Sequence, residues 1–259
     1  MRVALFVPCY VDQLRPNVGL ACLEILRTIG LDPLFPEDQT CCGQPFLTAG
    51  ETQQACELGR HFVQVFEDFD SVVTPSGSCA STLRGHLNRF VPGETARRLS
   101  QNTFELCEFL AAATQPPVFD RPFPHRVGLH SSCHALRELR LGNPSETREP
   151  IRIDPAKALL AEIPELEFVD LARRDECCGF GGLFSIEEEA VSSRMGRDRL
   201  ADHQRAGSEI LTSTDVSCLL HLEGLARKRG IPIEVMHVAE ILAASLSGST
   251  PIGGGNGPR

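Results

Sequence analysis

The residues most able to do chemistry in this chain are cysteines. Cys41 and Cys42 stand side by side in "TCCGQP", and Cys177 and Cys178 do the same in "DECCGFGG". Each pair is followed by a glycine, Gly43 or Gly179, and each is flanked by two distant partners, Cys9 and Cys79 for the first pair, Cys133 and Cys218 for the second. Two sets of four thiols, each set drawn from three chain segments, fit zinc or an iron–sulfur cluster, because thiolates are soft ligands. Adjacent side chains diverge, which is awkward around one small ion. A cluster offers several iron atoms, so two diverging thiolates can each find one. The following glycine permits a positive φ and lets backbone N–H groups approach the sulfurs. Zinc sites more often use Cys-x₂₋₄-Cys knuckles, which this chain lacks. A disulfide between neighbours is strained and would leave Cys9 and Cys79 unexplained.

Other residues near these cysteines are candidates for a supporting role. His134 follows Cys133, and His221 lies one helical turn after Cys218; either can hydrogen-bond a sulfur, ligate, or simply pack. Ser76 and Asp215 stand three residues before Cys79 and Cys218, as oxygen ligands, hydrogen-bond partners or turn formers. Cys22, Cys56 and Cys107 sit on helical stretches among apolar neighbours and have no counterpart in the other set, so they read as packing residues.

The elements that must position these thiols occur twice. The first half reads as strand "RVALFVPCY", helix "LACLEILRTIG", extended "LDPLFPED", Cys-Cys-Gly, helix "ETQQACELGRHFVQVFEDF" and strand "DSVVTPSGSC". The second reads as strand "RVGLHSSCH", a connection with "PAKALLAEI", extended "LEFVDL", Cys-Cys-Gly, helix "SIEEEAVSSRMGRDRLADHQRAG" and strand "SEILTSTDVSC". A loop at 141–154 lengthens the second copy. Strands alternating with helices predict an α/β fold of two pseudo-repeated βαβ-type, Rossmann-like halves with mostly parallel sheets. Sites in such sheets form beyond the carboxyl ends of the strands, where Cys9, Cys79, Cys133 and Cys218 are expected. The expected organisation is a first repeat over 1–113, a Pro-rich linker over 114–126, a second repeat over 127–246 and a disordered tail over 247–259. A last strand "IPIEVMHV" and helix "AEILAASL" close the second repeat.

The bulk properties are those of a soluble globular protein. Of 259 residues, 42% are hydrophobic and 23% charged, enough for a core without cysteine staples. The net charge is −9, and lysine occurs only at Lys157 and Lys228, so neither nucleic acid nor an anionic membrane surface is an expected partner. No apolar run is long enough to span a bilayer. The opening "MRVALFVPCY" reads as a buried strand rather than a signal peptide, and an odd total of eleven cysteines argues against a disulfide framework. The expected location is cytoplasmic.

The arrangement resembles the cysteine-rich "CCG" domain, found twice in one of the subunits of heterodisulfide reductase and in the iron–sulfur subunits of glycolate oxidase and anaerobic glycerol-3-phosphate dehydrogenase. Within that group it is most similar to the lactate utilisation protein A family, through "VPCYVDQLRPNVGLACLEILRTIG", "TCCGQP", "TPSGSCAS", "LHSSCHALREL", "ECCGFGGLFS", "DVSCLLHLEG" and "HVAEIL". Ser76 and Asp215 replace the first cysteine of the fuller motif's Cys-x-x-Cys. The five-cysteine, non-cubane cluster of heterodisulfide reductase is therefore not carried over. The resemblance implies one or two iron–sulfur clusters of the 4Fe-4S type on Cys9, Cys41, Cys42 and Cys79 and on Cys133, Cys177, Cys178 and Cys218, with zinc in one half as the alternative. It further implies electron transfer in a multi-protein system oxidising L-lactate to pyruvate, with other subunits as partners, one of them a ferredoxin-like iron–sulfur protein. "GFGG" lacks the spacing of a dinucleotide fingerprint, which fits an electron carrier better than the site of hydride removal. A zinc-bound scaffold and a thiol–disulfide redox subunit are the rival readings.

Overall fold

The computed structural model describes residues 1–148 and 152–248. The first half runs β1 (Val3–Leu5), α1 (Cys9–Leu14), α2 (Pro16–Thr28), α3 (Gln44–Thr48), α4 (Thr52–Phe66), β2 (Ser71–Thr74), α5 (Gly77–Phe90), α6 (Glu94–Gln101), β3 (Thr103–Glu105) and α7 (Leu106–Ala111). The second runs β4 (Arg126–Leu129), a π-helical turn His134–Glu138, α8 (Pro155–Ala161), β5 (Glu167–Phe168), α9 (Phe184–Glu187), α10 (Glu189–Ala206), β6 (Ile210–Ser213), α11 (Val216–Arg229), β7 (Glu234–His237) and α12 (Val238–Ala244). The strands form two parallel sheets, ordered β1-β2-β3 and β5-β4-β6-β7.

The two sheets are copies of one plan. A parallel bridge joins Leu34 to Ala4 on the free side of β1, where β5 stands beside β4 in the second half. Val3 pairs with Ser71 as Val127 pairs with Ile210, and both offsets carry through to the cysteines. The α/β repeat read from the sequence is the architecture seen, with local differences. The strands expected to run into Cys79 and Cys218 stop at Thr74 and Ser213, because α5 and α11 start three residues later; at α5, Ser76 accepts a hydrogen bond from the Cys79 amide and caps the helix. The helix expected over 185–207 is broken at Glu188 into α9 and α10. Strand β3 is an addition to the expected elements. Of the expected tail, residues 249–259 lie outside the described residues, while Ser247 donates its amide to the Val118 carbonyl.

Alternation along the strands divides the core. Val3 and Leu5 of β1 and Val127 and Leu129 of β4 face one shared apolar core, whereas Ala4 and Phe6 face a core private to the first half, and Leu211 one private to the second. In α2, Pro16 presets the first turn, and Val18, Ala21, Cys22, Ile25 and Leu26 form a buried stripe at helical spacing. That stripe shares the central core with Val238, Ile241 and Leu242 of α12, so the two repeats are held together through an apolar seam. Burying a side chain the size of Ile25 stabilises by about 1.5–3 kcal/mol. Between α5 and the π-helical turn the two halves also come very close: a Cβ on Gly77 would lie 2.9 Å from the Ala135 Cβ, so only glycine fits there.

Candidate metal centre

Cys9 is the first residue of α1, and Cys79 and Cys218 lie in the first turns of α5 and α11. Backbone N–H groups at a helix start point outward and present partial positive charge to whatever group these sulfurs hold. The adjacent pairs come from loops that bend at Gly43 (φ 87°) and Gly179 (φ 88°), a left-handed conformation that glycine adopts without strain. In each bend the glycine amide donates to the first sulfur: Gly43 N to Cys41 Sγ at 3.4 Å, Gly179 N to Cys177 Sγ at 3.3 Å. The Phe180 amide reaches Cys178 Sγ at 3.5 Å.

These segments converge. Cys9 Sγ is 3.9 Å from Cys41 Sγ, and Cys42 Sγ is 3.2 Å from Cys79 Sγ. In the second half, Cys133, Cys177, Cys178 and Cys218 perturb one another's protonation, as neighbouring thiols do. All eight are free thiols, and all eight line one cavity of about 140 Å³ on the join of the two halves. A single water needs only about 10–15 Å³ measured the same way, so the space suits a multi-atom group. Among the described residues, no lysine or arginine lines it.

The thiols share protons unequally. Cys41 is held down to about 3, chiefly by the hydrogen bonds it accepts from Cys42 and Cys9 and further by the Gly43 amide. Cys177 is held down to about 2, chiefly by Cys133 and Cys178, then by the Gly179 amide and His130. Their donors Cys9, Cys42, Cys133 and Cys178 are correspondingly pushed up, with burial adding to the effect. Without metal, the charge of each half therefore rests on the first cysteine of its adjacent pair. A soft cation must displace the remaining protons as it binds.

The supporting residues take distinct places. Ser76 Oγ accepts from the Cys79 amide at 3.2 Å and contacts Ser78 Oγ, while Asp215 crosses between the halves. Asp215 Oδ2 accepts from the Ser78 amide at 2.8 Å, and Oδ1 accepts from Ser78 Oγ at 3.1 Å and Ser217 Oγ at 2.8 Å. Both oxygens are thus engaged in joining the repeats. His134 lines the cavity, its Nδ1 3.6 Å from Cys133 Sγ and its Nε2 2.8 Å from Gln44 Nε2 of the other half. His221 does not line it; its Nε2 sits by Ser192, 3.5 Å from the hydroxyl. Cys22 and Cys107 are buried in the central core, and Cys56 is half-buried on α4.

One residue escaped the sequence reading. His130, at the end of β4, has a ring nitrogen within 4.8 Å of both Cys178 Sγ and Cys218 Sγ. Its Nδ1 accepts from Nε of Arg199, a fully buried guanidinium on α10, at 3.2 Å. Burial, with the Arg199 charge, pulls the His130 ring down to about 3. Aligning the two repeats exposes it, because Phe6 stands three residues before Cys9 as His130 stands three before Cys133.

The described residues contain no helix long and apolar enough to cross a membrane. The cysteine-rich domain model matches residues 3–84 and again 127–223. Lactate utilization protein A of Geobacillus thermodenitrificans is 38% identical over 93% of this chain and 98% of its own length. The proteins of that name from Bacillus licheniformis and an Exiguobacterium are 35% and 36% identical, over 93% of this chain and 99% and 96% of theirs. A glutamate racemase from Francisella tularensis, solved with D-glutamate, overlays 94% of this chain on 78% of its own at a TM-score of 0.38 and 10% identity, too low to carry an argument. With both repeats matched and full-length relatives above 30% identity, this chain belongs to the lactate utilization protein A family of cysteine-rich domain proteins.

Proposed function

We propose that this protein is the iron–sulfur, electron-transferring member of a multi-protein system that oxidises L-lactate to pyruvate. The observation that carries this reading is the convergence of eight free thiols from both repeats on one cavity that, among the described residues, no lysine or arginine lines. The donor set fits the group: four soft sulfurs per half, backed by amide N–H groups at Gly43, Gly179 and Phe180. Cys9, Cys41, Cys42 and Cys79 would hold one centre, and Cys133, Cys177, Cys178 and Cys218 the other. An iron–sulfur group supplies one-electron uptake and release at a potential set by its surroundings. The chain's own part is to hold that group, limit water through burial of Cys42, Cys79, Cys178 and Cys218, and direct N–H dipoles at its sulfurs. Oxidising lactate to pyruvate releases two electrons and two protons. In this reading a partner protein removes them, and a ferredoxin-like partner exchanges electrons with this chain one at a time.

Metal analysis after anaerobic purification tests the reading. Iron and inorganic sulfide in equal amounts, a brown colour and a reducible paramagnetic signal are expected. Cys177→Ser should lose the iron of the second set and keep that of the first. A colourless protein with stoichiometric zinc would overturn electron transfer in favour of a zinc-bound scaffold.

A further inference from the structure

We propose that His130 is a fixed N–H donor to the sulfurs of the second centre and not one of its ligands, with Arg199 as the residue that sets its tautomer, and that this makes the two centres electronically unequal. The proposal rests on the iron–sulfur reading above for its electronic consequence, but not for the hydrogen-bond geometry.

A guanidinium has donors and no acceptor. Whatever ring nitrogen Arg199 Nε points at must therefore offer a lone pair, and that nitrogen is Nδ1, at 3.2 Å. The ring hydrogen is then on Nε2, which is fully buried and has no partner among the described residues. A nitrogen that carries hydrogen cannot bind a metal. Moving the hydrogen to Nδ1 would set two donors against each other in a site that excludes water. Arg199 is itself pinned: it donates to the Leu129 carbonyl at 3.5 Å, to the Arg173 carbonyl, and to buried Asp202 at 3.3 Å. The guanidinium cannot swing away, so the ring cannot change its tautomer. The sulfurs of Cys178 and Cys218 lie within 4.8 Å of a His130 ring nitrogen and, beyond hydrogen-bond reach of Nε2 as the thiols stand, are the acceptors assigned to it once they hold the centre.

Among the described residues, the first half has no counterpart to this donor at the matching position. Phe6 occupies the matching position, its amide bonded to the Val73 carbonyl as that of His130 is bonded to Thr212. Its ring packs edge-on against Phe62 and Phe66, at 5.6 and 5.7 Å between centroids. Duplicated thiols therefore sit against an aromatic cluster on one side and a polarised imidazole on the other. An N–H aimed at sulfur favours the more negative, reduced state. The second centre is then the easier one to reduce, which gives electrons a direction across the cavity.

The test is a dye-mediated redox titration of the iron-loaded protein, followed by electron paramagnetic resonance, on wild type, His130→Phe and His130→Gln. Each is also analysed for iron and sulfide. His130→Phe should keep its full iron content, and one of the two waves should move down. The expected size is about a tenfold fall in the reduced-to-oxidised ratio at fixed ambient potential, 59 mV for a one-electron centre. His130→Gln, which retains an N–H, should stay nearer wild type. An unmoved midpoint in iron-replete His130→Phe overturns the proposal. So does loss of one centre's iron from both variants, which would make His130 a ligand. Two-bond ¹H–¹⁵N spectra of the wild type decide the geometry whatever metal is bound: hydrogen on Nε2 supports the donor, and hydrogen on Nδ1 overturns it. Zinc in place of iron in the wild type would sink the electron-transfer reading alone, leaving the donor to be judged by that spectrum.

Discussion

Replacing Asp215 with alanine should loosen the join between the repeats. Its carboxylate is 2% exposed and accepts three hydrogen bonds, from the Ser78 amide, the Ser78 hydroxyl and the Ser217 hydroxyl. Hydrogen bonds to a charged acceptor contribute about 1.5–3 kcal/mol each, and a buried amide left without a partner costs about 1–3 kcal/mol. Removing the carboxylate also removes the cost of burying its charge, which offsets part of the loss. A net destabilisation of about 3 kcal/mol is expected, against a total of about 5–15 kcal/mol for a typical domain. With a urea slope near 3 kcal/mol/M, the midpoint of the reduced, metal-free protein should fall by about 1 M. Asp215→Asn keeps the shape and one acceptor and should lose about half as much. Far-UV circular dichroism in urea measures both. An alanine variant that melts within about 0.2 M of wild type, a shift smaller than one net hydrogen bond at that slope, would refute the claim that Asp215 clamps the halves.

Three further outcomes follow from the geometry. Cys177→Ser should remove the iron of the second set alone, read as the drop in iron per protein relative to Cys41→Ser, which should remove that of the first. Gly179→Ala should hurt metal uptake more than Gly43→Ala. Both force a side chain to positive φ, at about 1–2 kcal/mol, but a Cβ at Gly179 would also meet the Ser192 carbonyl at 2.6 Å, whereas at Gly43 the nearest atom is 3.7 Å away; equal iron contents would contradict this. Glu105 is fully buried, and burial pushes its carboxyl up to about 8 even though the Cys107 and Glu108 amides donate to it. A folded-state value above the unfolded one means that the folded protein holds a proton the unfolded chain releases. Stability should therefore fall as pH rises from about 4.5 towards 8, by up to about 4 kcal/mol. Glu105→Gln should flatten that part of the urea-midpoint profile and raise stability at pH 8; an unchanged slope would show that another group is responsible.

The large plan was legible because it is written in features that survive without coordinates. Runs such as "VALFV" announce strands covered on both faces, and the doubled Cys-Cys-Gly announces two copies of one unit. Placing Cys9 and Cys79 beyond strand ends put them on one edge, and the structure brings Cys41 and Cys42 to them there. What escaped depends on long-range partners. Arg199 meets His130 across 69 positions, and a buried arginine runs against every composition-based expectation. Asp215 looks like an ordinary helix-starting residue until Ser78, 137 positions away, is seen to donate to it. His221 has helical spacing from Cys218 that could face the sulfurs, yet tertiary packing turns it to Ser192. Strand β3 is three residues long, too short to show an alternation.

The shared seam between α2 and α12 has a consequence for the history of the chain. A lone ancestral repeat would have carried that oily face bare, and two identical copies meeting through it would have formed a twofold pair with both clasps alike. Here the clasp runs one way only: Asp215 reaches Ser78, while its counterpart Ser76 turns back to Cys79 and Ser78 of its own repeat. Joining the copies in one polypeptide released each from matching the other. Asymmetry, closed to a self-pairing ancestor, then became available to selection.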